Sequence, residues 1–188
     1  MPTESVRADA DVRRRPPRSD AAMGRTLRHR LDVLAVDAAD ATRHAGGWLF
    51  DRAMAGWEVN VLVADTGDVR PLRILGAGAV DLLAGLPAVI DEHAAGLAVS
   101  GPALADAAVR DAVLAVVRSG KTEVALWGGG WPDRCGGADT VGYRLSSAAR
   151  TFKRHALAAA GMPGPVGSCE ILLRGGYRPI DSDLMPVE

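Results

Sequence analysis

Lysine is almost missing from this sequence: of 22 basic residues only Lys121 and Lys153 are lysine, and the other 20 are arginine. Cysteine is as scarce, with Cys135 and Cys169 far apart and in no CxxC pair. Two cysteines exclude a disulfide-built secreted scaffold and point to reduced thiols. An excess of charge of either sign is also lacking. The 22 bases meet 23 acids and leave a net charge of −1. That balance excludes a globally basic nucleic-acid coat protein and an acidic solvating chain. No stretch reaches the roughly 18 apolar residues of a membrane span. The longest candidate, residues 94–117, is interrupted by Asp106, Arg110 and Asp111. The N-terminus has no apolar signal-peptide core; Glu4, Asp9 and Arg13-Arg14-Arg15 occupy that place. The expectation is a cytoplasmic protein without membrane contact.

What is present is a 188-residue chain that is 48% hydrophobic. That rules out full disorder, and the length suffices for one domain with its own core. Abundant Arg, Ala and Gly read as the composition of a high-GC genome, so arginine is not by itself a phosphate signal. Residues 1–24 are expected to be a disordered Arg-rich arm, 25–175 a single α/β domain, and 176–188 a frayed tail. Residues 1–30 carry a net charge of +4, which leaves about −5 on the rest. Arg13, Arg14 and Arg15 could touch nucleic acid or an acidic protein, although a solvated tail is the plainer reading.

The apolar pattern predicts an N-terminal helix from Leu27. Leu31, Leu34, Ala38, Ala41, Ala45 and Trp48 recur at three- and four-residue steps, and Gly46-Gly47 marks a break. Alternating Val59, Val61 and Val63, the Asp65–Asp68 turn and the run 69–75 predict a hairpin. Residues 80–92 read as a helix holding Pro87. The run 97–99, a helix over 103–119 stopped by Gly120, and the strand 123–127 predict a parallel βαβ unit. A last helix spans 143–160, and 170–173 adds an edge strand. The fold class is therefore α/β: one small layered domain with a mixed sheet of four or five strands.

The segments 45–59 and 70–76, with Val124-Ala125-Leu126-Trp127-Gly128 before Trp131-Pro132, resemble uncharacterised proteins of high-GC actinobacteria. The resemblance covers roughly residues 30–160 and implies a source and a one-domain organisation. It carries no function.

Few motifs carry chemistry. Gly120-Lys121-Thr122 lacks the upstream glycine and the strand–loop–helix order of a phosphate-binding loop. Gly76-Ala77-Gly78 has Asp81 where a dinucleotide fingerprint needs glycine. Asp37, Asp40 and His44 share a helix face at metal-ligand spacing, but no second such helix completes a set, and a solvated face explains them. Cys135 has His155 as its only candidate base. The last helix presents Arg144, Arg150, Lys153, Arg154 and His155 without an acid. The most unusual feature is Trp127-Gly128-Gly129-Gly130-Trp131-Pro132, followed by Arg134, at the carboxyl end of a parallel strand. Ligands of open α/β sheets bind beyond that edge. Ser100-Gly101-Pro102 lies at the neighbouring strand-to-helix junction, where free N–H groups suit anions.

No catalytic set and no metal set stands out, and no cofactor is called for. The leading expectation is a non-enzymatic small-ligand-binding or regulatory domain for a small anionic ligand. Its site would join Trp127–Trp131, Arg134, Ser100 and Gly101, with Arg150 or Arg154 as the counter-charge. The alternatives are a protein- or nucleic-acid-interaction module using the arm and the last helix, and a small nucleotide- or thiol-dependent enzyme.

Overall fold

The computed structural model describes residues 29–187. The chain runs β1 (Arg30–Ala35), α1 (Ala38–Met54), β2 (Glu58–Val63), α2 (Arg70–Ile74), β3 (Gly78–Asp81), α3 (Leu82–Asp91), β4 (Gly96–Ser100) and α4 (Ala107–Ser119). It continues with β5 (Glu123–Trp127), β6 (Asp139–Arg144), α5 (Ser147–Ala159), β7 (Cys169–Gly176) and β8 (Met185–Pro186). All eight strands form one mixed sheet in the order β3-β2-β1-β4-β5-β7-β6-β8. Strands β1 to β5 are parallel; β7 runs antiparallel to β5 and β6. Helices α1, α2 and α5 cover one face, and α3 and α4 cover the other. Among the described residues no helix is long and apolar enough to cross a membrane. The α/β class, the single domain and the parallel unit β4–α4–β5 stand as expected.

Several details differ. The first described element is a strand, not a helix. Residues 30–35 form the central strand and are buried on both faces, so they read as a continuous apolar run. Such a run cannot be told from a helix by periodicity. The spacing Leu31–Leu34–Ala38 crosses from β1 into α1. The true helix start is Asp37, whose carboxylate accepts the N–H of Asp40 at 2.7 Å. Helix α1 passes through Gly46-Gly47 without ending.

The predicted hairpin over 59–75 does not form. Its second arm contains Pro71, which cannot donate to a ladder but fits the first turn of a helix, and the segment becomes α2. Strand β2 pairs in parallel with β1, using α1 as the crossover. Helix α4 starts at Asp106, which accepts from Ala108 and Val109, after a short turn at Pro102–Ala105. Arg110 donates to the carbonyls of Leu104 and Ala105 in that turn. The expected edge strand at 170–173 is the longer β7, interior between β5 and β6. Within the expected tail, 185–186 joins the sheet as β8. The arm at 1–24 lies outside the described residues.

One buried polar cluster ties the α1 face together. Glu170 on β7 accepts the N–H groups of Gly47 (2.8 Å) and Trp48 (2.9 Å) in the middle of α1. Its Oε1 also receives Lys153 Nζ of α5 at 2.5 Å. Gly47 is required here, because a Cβ would sit 2.2 Å from Leu145 Cδ2. Burial pushes the Glu170 carboxyl above its ordinary range, against the pull of Lys153 and the two backbone N–H groups.

Glu170→Ala leaves a buried ammonium without a counter-charge and is expected to cost about 3–5 kcal/mol by chemical denaturation. The pair Lys153→Met/Glu170→Leu, which removes both charges, is expected to cost less. Because the folded pKa of Glu170 is raised, its contribution is present at low pH. It is lost as the pH rises from the ordinary 4.5 through the raised value. Glu170→Gln should flatten that part of the stability–pH curve. Trp127 is only 3% exposed and packs under α1, so Trp127→Ala should lower stability by about 3–5 kcal/mol, read as a shifted denaturation midpoint.

Candidate active site

The strand order reverses around β1, whose neighbours are β2 and β4. In open α/β sheets this reversal opens a crevice beyond the carboxyl ends of the strands. Helix α1 begins there. Asp37 caps it, Asp40 follows one turn on, and His44 one turn further. Beneath α1 the strand ends bring Ser100 of β4 level with Trp127 of β5.

Asp40 and His44 do not form a solvated face. Asp40 is mostly buried, and both its oxygens receive Trp127 Nε1 at 3.3 Å. His44 Nδ1 lies 3.1 Å from Asp40 Oδ1 and 3.1 Å from the Asp40 carbonyl. Both neighbours can only accept, so Nδ1 carries a proton, and in the neutral ring Nε2 is the nitrogen with the lone pair. The imidazole lies nearly parallel to the Trp127 indole, with 16° between the planes. Among the described residues Nε2 has no protein partner. The ring borders a cleft of about 660 Å³ that the buried Lys153–Glu170 pair and the segment 162–167 also line.

The expected site residues are dispersed. Trp127 lies in the core beside Asp40 and His44. Trp131 crosses to the α3–α4 face and packs its ring on Gly175, where a Cβ would approach to 2.3 Å. Gly128, Gly129 and Gly130 are exposed. Gly101 meets Gly129 backbone to backbone, with a Cβ at Gly101 falling 2.7 Å from Gly129 N and Cα. These glycines therefore permit two chain segments to touch. The Ser100 hydroxyl is wholly buried and has no partner among the described residues. Arg134 joins Arg110 and Cys135 in a separate cleft of about 520 Å³ on the α4 side. Arg150 and Arg154 are exposed on α5, while Lys153 between them turns inward. Trp127, Trp131, Arg134 and Arg150 thus share no cavity among those found. The contact assigned to Arg13, Arg14 and Arg15 lies outside the described residues.

The thiol and nucleotide readings lose their geometry. Cys135 belongs to the α3–α4 side, whereas α5, which carries His155, packs on the opposite face. Burial also pushes the Cys135 thiol up, which disfavours the thiolate. Gly76 lies between α2 and β3 and Gly78 opens β3, so the pair leads into the strand instead of following it. Gly120 is a left-handed cap at φ 63° that ends α4. Asp37, Asp40 and His44 do not make a metal centre either. Among the described residues no three His, Cys, Asp or Glu side chains are grouped to hold an ion. Asp37 is turned to its own helix, and Asp40 is engaged by Trp127 and His44.

Sequence reasoning missed Glu170 and the cleft above it. One signal was available: Glu170 is the acid that opens an apolar run, and Lys153 is one of two lysines.

No protein-family model matches the chain, and no curated protein matches it. Solved structures do. Teicoplanin deacetylase Orf2, as a triple mutant, is 15% identical with a TM-score of 0.58, covering 81% of this chain and 100% of that one. Its zinc-inhibited form is 14% identical with a TM-score of 0.56, at the same coverage. The A40926 pseudoaglycone deacetylase Dbv21 is 15% identical with a TM-score of 0.56, covering 80% and 98%. GalB, the 4-carboxy-2-hydroxymuconate hydratase of Pseudomonas putida, is 12% identical with a TM-score of 0.52, covering 82% and 98%. At these identities the likeness is one of fold. These neighbours are enzymes, and that overturns the expectation of a non-enzymatic ligand-binding or regulatory domain.

Proposed function

We propose that the chain is a hydrolase that activates water with the Asp40–His44 pair to cleave an acyl bond. The observation that carries this reading is the fixed tautomer of His44. Asp40 holds Nδ1–H, and Nε2 is left as a base beside an open cleft. A carboxylate in this position orients the imidazole and stabilises the imidazolium that forms when it takes a proton. Trp127 acts behind it as a positioning residue, because its indole N–H fixes Asp40.

The step balances simply. His44 Nε2 takes a proton from water as the water oxygen bonds to the acyl carbon. The bond to the leaving nitrogen or oxygen then breaks, and the imidazolium returns the proton to that atom. Lys153 Nζ gives one of its three N–H groups to Glu170, and the others are available to a developing oxyanion. Two of the neighbouring folds belong to deacetylases and one to a hydratase, and both reaction classes bring water to a carbon centre.

Purified chain should release acetate from N-acetyl amines or activated acetyl esters. His44→Ala and Asp40→Asn should lower kcat by roughly 10²–10⁴-fold, with folding unchanged by circular dichroism. Full activity in His44→Ala, or no turnover across such a panel, would sink the reading.

A further inference from the structure

The same cleft has a chemical polarity of its own. Arg43 stands beside His44 on its rim and is exposed. It forms no ion pair among the described residues. The other cation of the cleft, Lys153, is already matched by Glu170. Glu170 is in turn engaged by Lys153 and by two backbone N–H groups. The uncompensated charge of the cleft is therefore the positive charge of Arg43. An apolar stretch of the same lining is formed by Leu157, Met162, Pro163, Pro165 and Val166. Pro163 and Pro165 fix φ at two positions of this stretch, which limits the freedom it has to lose on binding.

We propose that the cleft selects an acylated small molecule bearing a carboxylate or another compact anion. Arg43 meets the anion, the 162–167 wall takes the apolar acyl chain, and the scissile carbonyl falls beside His44. The planar fork of arginine suits a carboxylate in two-point contact. A cleft of about 660 Å³ is of the size that encloses a small ligand. This substrate class rests on the hydrolase reading for its reacting bond, but the anion contact stands by itself and is tested by binding.

The test uses the full chain and two probes, N-hexanoylglycine and its uncharged primary amide, titrated by calorimetry. His44→Ala serves as the binding form, so that turnover does not intrude. The carboxylate probe is expected to bind at least about tenfold tighter than the amide, and Arg43→Gln should abolish the difference. Equal affinity for the two probes overturns the proposal, as does failure of both to bind or a preference that survives Arg43→Gln. Retained hydrolysis in His44→Ala, with the Arg43-dependent preference intact, ends the water-activation reading and leaves the anion site standing.

Discussion

A single buried carboxylate holds the functional face of this molecule in place. Glu170 belongs to the sheet, Lys153 to α5, and the N–H groups of Gly47 and Trp48 to α1, and all four meet at one point. Three separate elements thus depend on one charged group kept out of water. Isolated, that charge would be prohibitive in the interior, and its three partners make it tolerable. A second carboxylate repeats the arrangement one turn further along α1. Asp51 accepts from Tyr143, from the Ser146 hydroxyl and from the Ser146 N–H, joining α1 to the start of α5. The helix that carries Asp40 and His44 is therefore fixed along its length by polar contacts as well as packing.

That rigidity matters for the chemistry. A base is useful only if its lone pair points at the reacting atom, and an exposed histidine on a free helix would sample several orientations. Here the ring is fixed from three sides: Asp40 at Nδ1, the Trp127 indole near its face, and the α1 backbone beneath it. Asp40 is itself fixed by Trp127, which is locked in the core. The chain of constraint runs from the packed sheet outward to one nitrogen.

Much of the layering was legible in the sequence, and the reasons for failure are specific. The unit β4–α4–β5 was readable because α4 has a wide apolar face, an Asp cap and a glycine stop, signals that are all local. The central strand β1 was not, because burial on both faces erases alternation. Trp127 drew attention as a ligand platform, yet its aromatic area is buried under α1, and its contribution to the site is one N–H. Asp40 and His44 were readable as a spaced set but not as a pair around a proton. That required the tryptophan from a strand 87 residues away in sequence. Glu170 and Gly47 meet across 123 residues, a contact that no local pattern encodes.

The connection between α5 and β7 has a consequence in chain entropy. Lys153 and Glu170 lie 17 residues apart in sequence, and the cleft wall is part of the segment they enclose. Their contact closes that segment into a ring without a covalent bond, and closing a ring reduces the freedom of everything within it. The recess therefore comes into being when the ring closes. By linkage, a guest that binds the closed recess better than the open one tightens the closure, and opening the closure weakens that guest by the same factor.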